Sequence, residues 1–151
     1  PRQSERAVIA TAIRQMIDNS CKEVHLGDIT TTRDFNFVND TVEAFTQVGL
    51  SSNISYGEPY NAGSGIETSV SDVVQKLFQI TGCNKPLITD KNRNRPKASE
   101  VRSLIADASK LKAATGWKSS IDLDTGLTQT VEWWKHKSFK DDVGKGNEYK
   151  V

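Results

Sequence analysis

Apolar residues recur at helical spacing in five stretches of the chain. Val8, Ile9, Ala12, Ile13, Met16 and Ile17 make a wide stripe, which predicts a helix over about residues 5–19, with Ser4 able to cap it. Val42, Phe45 and Val48 predict a second helix that begins at Asp40 and stops at Gly49; Glu43, three residues after Asp40, completes a capping-box-like pair. Val70, Val73, Val74, Leu77 and Phe78 predict a third, capped by Ser69 with Asp72 and stopped by Gly82. Leu111 and Ala114 fall in a short helix opened by Asp107 and closed by Gly116, and Trp117 then reads as an anchor under the turn. Leu123, Leu127, Val131 and Trp134 give the last helix one clean apolar face.

Alternation marks the strands. Val24 and Leu26 alternate with Glu23 and His25, and Phe35 and Phe37 alternate with Asp34 and Asn36. Residues 59–63 and the pair Leu87, Ile88 predict two further short strands. Residues 51–58 and the basic, proline-bearing residues 91–99 read as loops, and the charged residues after His136 as a frayed tail. The order is mixed α/β. The strands are too few and too short for a sheet covered by helices on both sides, which fits a piece of a doubly wound domain better than a whole one.

Composition narrows the function classes. A chain of 151 residues suits one domain, here expected over 1–137 with a charged tail at 138–151. Its 20 basic residues nearly balance 19 acidic ones, which argues against a broad nucleic-acid footprint but leaves room for local phosphate contacts. No apolar run is long enough for a membrane span, and no signal peptide is visible. Cys21 and Cys83 read as reduced thiols of a cytoplasmic protein. His25 and His136 are single, and no cluster has metal-ligand spacing. The chain begins with Pro1 rather than methionine, as a piece cut from a longer chain would.

Candidate chemistry is sparse. Gly63-Ser64-Gly65 suggests a dinucleotide turn, but Thr68 stands where a third glycine is needed, so a tight turn into a helix is the better reading. No tyrosine is followed four residues on by lysine, and no G-x-S-x-G elbow is present, so no catalytic residue is assigned. Arg33 enters the strand–helix segment at 34–40, where it can offer a planar fork of donors to a phosphate; on this stretch alone, a solvated or Asp34-paired arginine is the more economical reading. The loop carrying Arg93, Arg95, Pro96 and Lys97 is either a solvated charge run or an anion site with Arg95 or Arg102 turned inward.

Several motifs then fall in one order. They are Pro1-Arg2-Gln3-Ser4 with the helix at 6–9, Leu26-Gly27-Asp28, Thr32-Arg33-Asp34-Phe35 and Tyr60-Asn61-Ala62-Gly63-Ser64-Gly65. Arg95-Pro96-Lys97-Ala98-Ser99-Glu100-Val101, Asp107-Ala108-Ser109-Lys110 and Gly116-Trp117 follow. The set resembles the extended short-chain dehydrogenases that act on nucleotide sugars, the NAD-dependent 4,6-dehydratases and epimerases. The resemblance implies an α/β fold that is the C-terminal portion of an extended Rossmann-type enzyme, mostly helices with a few short strands and lacking the N-terminal nucleotide-binding sheet. It implies a sugar-nucleotide binding part that is not catalytic alone, with NAD in the complete enzyme and none bound by this chain. Arg33 and Arg95 would hold the diphosphate, and Arg2, Val8 and Ile9 would line the pocket near the sugar. The expected partners are a nucleoside-diphosphate sugar and, optionally, further copies of the chain; nucleic acid and membrane are not expected. One alternative is a stand-alone, self-associating module derived from such an enzyme. Another is an unrelated small α/β domain whose basic loop binds an acidic partner.

Overall fold

The stripes read from the sequence bury one another. A computed structural model describes residue 4, residues 7–90 and residues 101–136. Helices α1 (Val8–Ile17), α3 (Val70–Thr81) and α5 (Leu123–His136) contribute Ala10, Ala12, Ile13, Met16, Val70, Val73, Val74, Leu77, Leu127, Val131 and Trp134 to one core. Val24 and Leu26 of strand β1 (Val24–Leu26) join it. Full burial of one such side chain contributes about 1.5–3 kcal/mol, so this cluster dominates the stability of the fold.

Polar groups close the ends of these elements. The Lys85 ammonium donates to the carbonyls of Gln15, Met16 and Asp18 at 2.7, 3.0 and 2.7 Å, a cation seated on the C-terminus of α1. The Gln15 side chain bonds the backbone of β1 from the other side: His25 N donates to Oε1 at 2.9 Å and Nε2 donates to His25 O at 3.1 Å. An amide side chain thereby does for β1 what a neighbouring strand does elsewhere.

At α3 the sequence signals hold. Ser69 Oγ accepts from Asp72 N at 2.9 Å, and Gly82 ends the helix at φ 66°. Ser69→Ala is expected to cost about 1 kcal/mol, lowering the melting temperature by roughly 2–4 °C. A thermal melt showing no change would remove the cap from the account.

Helix α2 (Val38–Leu50) departs from its reading. It starts two residues before Asp40, has no side-chain cap at Phe37, and runs through Gly49. Val42 and Phe45, expected to face inward, are 58% and 76% exposed. The inward face carries Asp40 and Ala44 instead, and Ala44 packs with Leu111, Trp117, Val48 and Tyr60 in a second cluster beside α4 (Ser109–Thr115). The spacing of Val42 and Phe45 misled because a small residue and a carboxylate hold the buried face.

The strands form two small sheets. In one, β1 pairs parallel with β4 (Leu87–Thr89). In the other, β2 (Thr32–Asp34) lies between β3 (Glu67–Ser69), antiparallel, and β5 (Ser103–Leu104), parallel. From β2 to β4 the chain runs strand–helix–strand–helix–strand. This alternation, together with the parallel pairs β1–β4 and β2–β5, is typical of Rossmann-type α/β folds. It corrects the expectation of a mostly helical portion lacking a nucleotide-binding type of sheet. The reason for the miss is local: β3 and β5 have exposed and half-exposed residues with no apolar alternation, and residues 59–63, expected as a strand, are irregular. The basic loop at 91–99 and the expected tail at 138–151 lie outside the described residues. Among the described residues, no helix is long and apolar enough to cross a membrane, and no group of three His, Cys, Asp or Glu side chains could hold a metal ion.

Candidate functional site

The site is built on β2. Successive strand residues point to opposite faces, so Thr32 and Asp34 share one face and Arg33 leaves from the other. The Asp34 carboxylate gathers donors from two other segments. It accepts from Ser64 N at 3.0 Å, Ser64 Oγ, Gly65 N at 2.9 Å and Ala106 N at 3.3 Å. Burial works against its charge, yet the Ser64 hydroxyl and the three amides outweigh burial and hold its carboxyl below the usual range. Gly63 makes this approach feasible: a Cβ there would lie 2.5 Å from both the Ala106 Cβ and Asp34 Oδ2. Beside it, Glu67 accepts from the hydroxyls of Thr32 and, at 2.8 Å, Ser103, and these bonds hold its carboxyl low as well.

Parallel pairing of β2 with β5 brings two arginines to one end of the sheet. Thr32 N donates to Arg102 O at 2.8 Å, and the half-buried Arg33 donates through Nη1 to Thr32 O at 2.6 Å and Arg102 O at 3.3 Å. Arg102 itself is exposed. Nearby Asp28 is held low by the Thr30 hydroxyl and amide, with a smaller contribution from the charge of Arg102. The Arg33 guanidinium is thus tied to the main chain of Arg102; a guanidinium suits a phosphate or diphosphate, which takes bidentate, charge-assisted bonds.

A cleft of about 510 Å³ opens beside Asp34, with apolar walls from Ile9, Phe35, Phe37, Leu127 and Trp134. Gly126 lets the Phe37 ring lie against α5, since a Cβ there would sit 3.0 Å from Phe37 Cδ2. Asn36 also lines the cleft; its Nδ2 donates to Thr41 Oγ1 at 2.9 Å, and its buried Oδ1 has no hydrogen-bond partner among the described residues.

The structure thus divides the residues expected at the site. Arg33 reaches the main chain of Arg102, Ile9 lines the cleft, and Val8 packs against the main core. Arg2 and Arg95 lie outside the described residues. Sequence reasoning gave Asp34 to Arg33 as a possible ion-pair partner; its carboxylate instead serves Ser64, Gly65 and Ala106. The signal was present in the Gly63-Ser64-Gly65 turn, whose glycines mark a close approach of backbone to another group.

That turn also answers whether it fits a dinucleotide. A pyrophosphate at such a turn needs backbone N–H groups pointing at it. The amides of Ser64 and Gly65 already donate to Asp34, and the space over Gly63 is filled by Ala106 and the same carboxylate. The turn does not fit a dinucleotide.

The chain matches the family model described as GDP-mannose 4,6 dehydratase over residues 1–130. It is 27% identical over 141 residues to a UDP-glucose 4-epimerase of Mycolicibacterium smegmatis, covering 91% of this chain and 43% of that protein. Its fold is similar to a UDP-glucuronic acid 4-epimerase from Bacillus cereus, solved with UDP-glucuronic acid and NAD, at a TM-score of 0.79 and 26% identity, covering 89% of this chain and 41% of that one. A UDP-glucose 4-epimerase from Thermotoga maritima, solved with UDP-glucose, gives a TM-score of 0.74 and 31% identity over 89% of this chain and 42% of that one. The chain spans about two fifths of the length of these relatives.

These findings correct two expectations. The matches are to nucleotide-sugar dehydratases and epimerases across nearly all of the chain, which overturns the narrower reading of a C-terminal part that only binds. The Bacillus cereus relative was solved with NAD, and the expectation that this chain alone binds no NAD is withdrawn.

Proposed function

Because the chain belongs to the GDP-mannose 4,6 dehydratase family, we propose that it serves the NAD-dependent dehydration or epimerisation of a nucleoside-diphosphate sugar. The observation that carries this reading is the meeting of Arg33 with Arg102 across β2 and β5, where Arg33 reaches the Arg102 carbonyl at 3.3 Å. In the proposal Arg33 grips the diphosphate as a planar fork, and Arg102 adds charge at the same sheet end. Ile9, which lines the cleft, stands toward the sugar. NAD supplies the hydride chemistry when bound; the residues named here bind and orient the sugar nucleotide. Cytoplasmic location belongs to the same proposal and is supported by Cys21 and Cys83, both free thiols.

The test is Arg33→Ala, titrated at equilibrium with GDP-mannose and with UDP-glucose. A lost charge-assisted contact is worth about 1.5–3 kcal/mol. Affinity for the preferred sugar nucleotide should therefore fall roughly tenfold to a hundredfold. Arg33 is a half-buried residue of a short strand and not part of the core, so the melting temperature should hold within a few degrees. Unchanged affinity for both ligands rejects the assignment.

A further inference from the structure

The strands that carry the two arginines are too short to hold their own alignment. β2, β3 and β5 have three, three and two residues. Short ladders of this kind are marginal in water. A slip of one residue along β2 would turn Arg33 to the opposite face, because side chains alternate with a period of two. Something other than the ladder must therefore set the register.

Asp34 is placed to do so. It follows Arg33 directly, and its carboxylate bonds the turn at 64–65, just before β3, and Ala106, two residues past β5. One side chain ties β2 to the segments on both of its flanks. The fit is unforgiving, since Gly63 leaves no space for a Cβ between Asp34 and Ala106. Glu67 adds a second bracket one side-chain pair away, through Thr32 and Ser103. The bond from Arg33 Nη1 to the Arg102 carbonyl exists only while β2 and β5 keep this alignment.

We propose that Asp34 is a positioning residue for substrate binding: it fixes the register of β2 and so aims Arg33 at the diphosphate. The inference rests on the assignment of Arg33 to that diphosphate.

A double-mutant cycle on the full chain tests it, with affinity for GDP-mannose and UDP-glucose measured by equilibrium titration well below the melting temperature. Asp34→Asn keeps the shape of the side chain and replaces one acceptor with a donor. It should weaken sugar-nucleotide binding about fivefold to tenfold in the parent chain, and less than twofold when Arg33 is already alanine. Interacting sites show such non-additivity, whereas independent ones add. Ser64→Ala removes only the hydroxyl donor to Asp34, and should show the same coupling at smaller amplitude if Asp34→Asn fails to fold. Val74→Ala, in the core of α3, is the control for lost stability and should leave affinity unchanged. Equal losses from Asp34→Asn with and without Arg33, or a Val74→Ala loss as large, would show that Asp34 acts only on overall stability and would overturn the inference. If Arg33→Ala alone changes nothing, the diphosphate assignment fails first, and that result is distinct from a cycle in which Arg33 matters and Asp34 does not.

Discussion

Gly63→Ala is expected to lower the melting temperature by about 6–12 °C, corresponding to roughly 3 kcal/mol in a domain of this size. The added methyl would lie 2.5 Å from the Ala106 Cβ and 2.5 Å from Asp34 Oδ2. Neither neighbour can yield cheaply. The Ala106 methyl sits directly on the backbone, and the Asp34 carboxylate is held by four donors from Ser64, Gly65 and Ala106. Overpacking alone costs about 1–3 kcal/mol. Displacing the carboxylate adds the loss of its bonds to the part-buried amides of Ser64 and Ala106, about 1 kcal/mol each. Gly49→Ala is the counterpart. Gly49 lies inside α2 with nothing within 4 Å of an added Cβ, so alanine there should stabilise by about 0.5–1 kcal/mol. The two variants make the same chemical change and should move thermal melts in opposite directions. A Gly63→Ala protein as stable as the parent would mean that the Asp34–Ala106 approach is not as close as described.

What the sequence showed depended on how far apart the partners were. Ser69 and Gly82 were legible because a cap and a left-handed stop need only neighbours along the chain. Leu127, Val131 and Trp134 were legible because one face of α5 meets one core. Trp117 was placed under its turn, and its Nε1 does donate to the Asp40 carbonyl at 3.1 Å. Asp40 and Asp34 were misread for a shared reason. Each was assigned to its own segment, as a helix cap and as an arginine partner, while each in fact collects donors about 30 to 80 positions away. Nothing in local spacing carries that information. The same limit hid β3 and β5, whose pairing with β2 is not written in their own side chains. Arg102 stood in the sequence as one of two options for an inward arginine; only the β2–β5 register put its carbonyl under Arg33.

Asp40→Ala should be the other strongly destabilising change, by about 3 kcal/mol or more. The Asp40 side chain is almost fully buried and anchors the segment leading into α5. Its Oδ1 accepts from Ser120 N at 3.1 Å and Ser120 Oγ at 2.8 Å, and its Oδ2 from Ser119 Oγ at 2.9 Å and Ile121 N at 3.1 Å. Alanine would leave two backbone N–H groups without their acceptor, at about 1–3 kcal/mol each where water cannot reach them. Burial raises the cost of the Asp40 charge, but the Ser120 and Ser119 hydroxyls and the two amides more than compensate and hold its carboxyl below the ordinary range. The sign for stability follows. A carboxyl whose folded value lies below the unfolded value of about 3.9 contributes fully above that pH. Its contribution is lost as pH falls through the folded value, because the unfolded chain then binds the proton first. Asp34 shifts in the same direction, so both act in the window below about pH 4. Denaturant melts of the parent between pH 5 and pH 2 should lose stability as acid is added, with each of these carboxyls contributing at most about 1.4 kcal/mol per pH unit. Asp40→Asn cannot titrate at this position. It should begin less stable at pH 7 and then show a shallower acid slope, so that the two curves converge toward pH 2. Parallel curves across that range would assign the acid sensitivity to other carboxyls and leave Asp40 a hydrogen-bonding role alone.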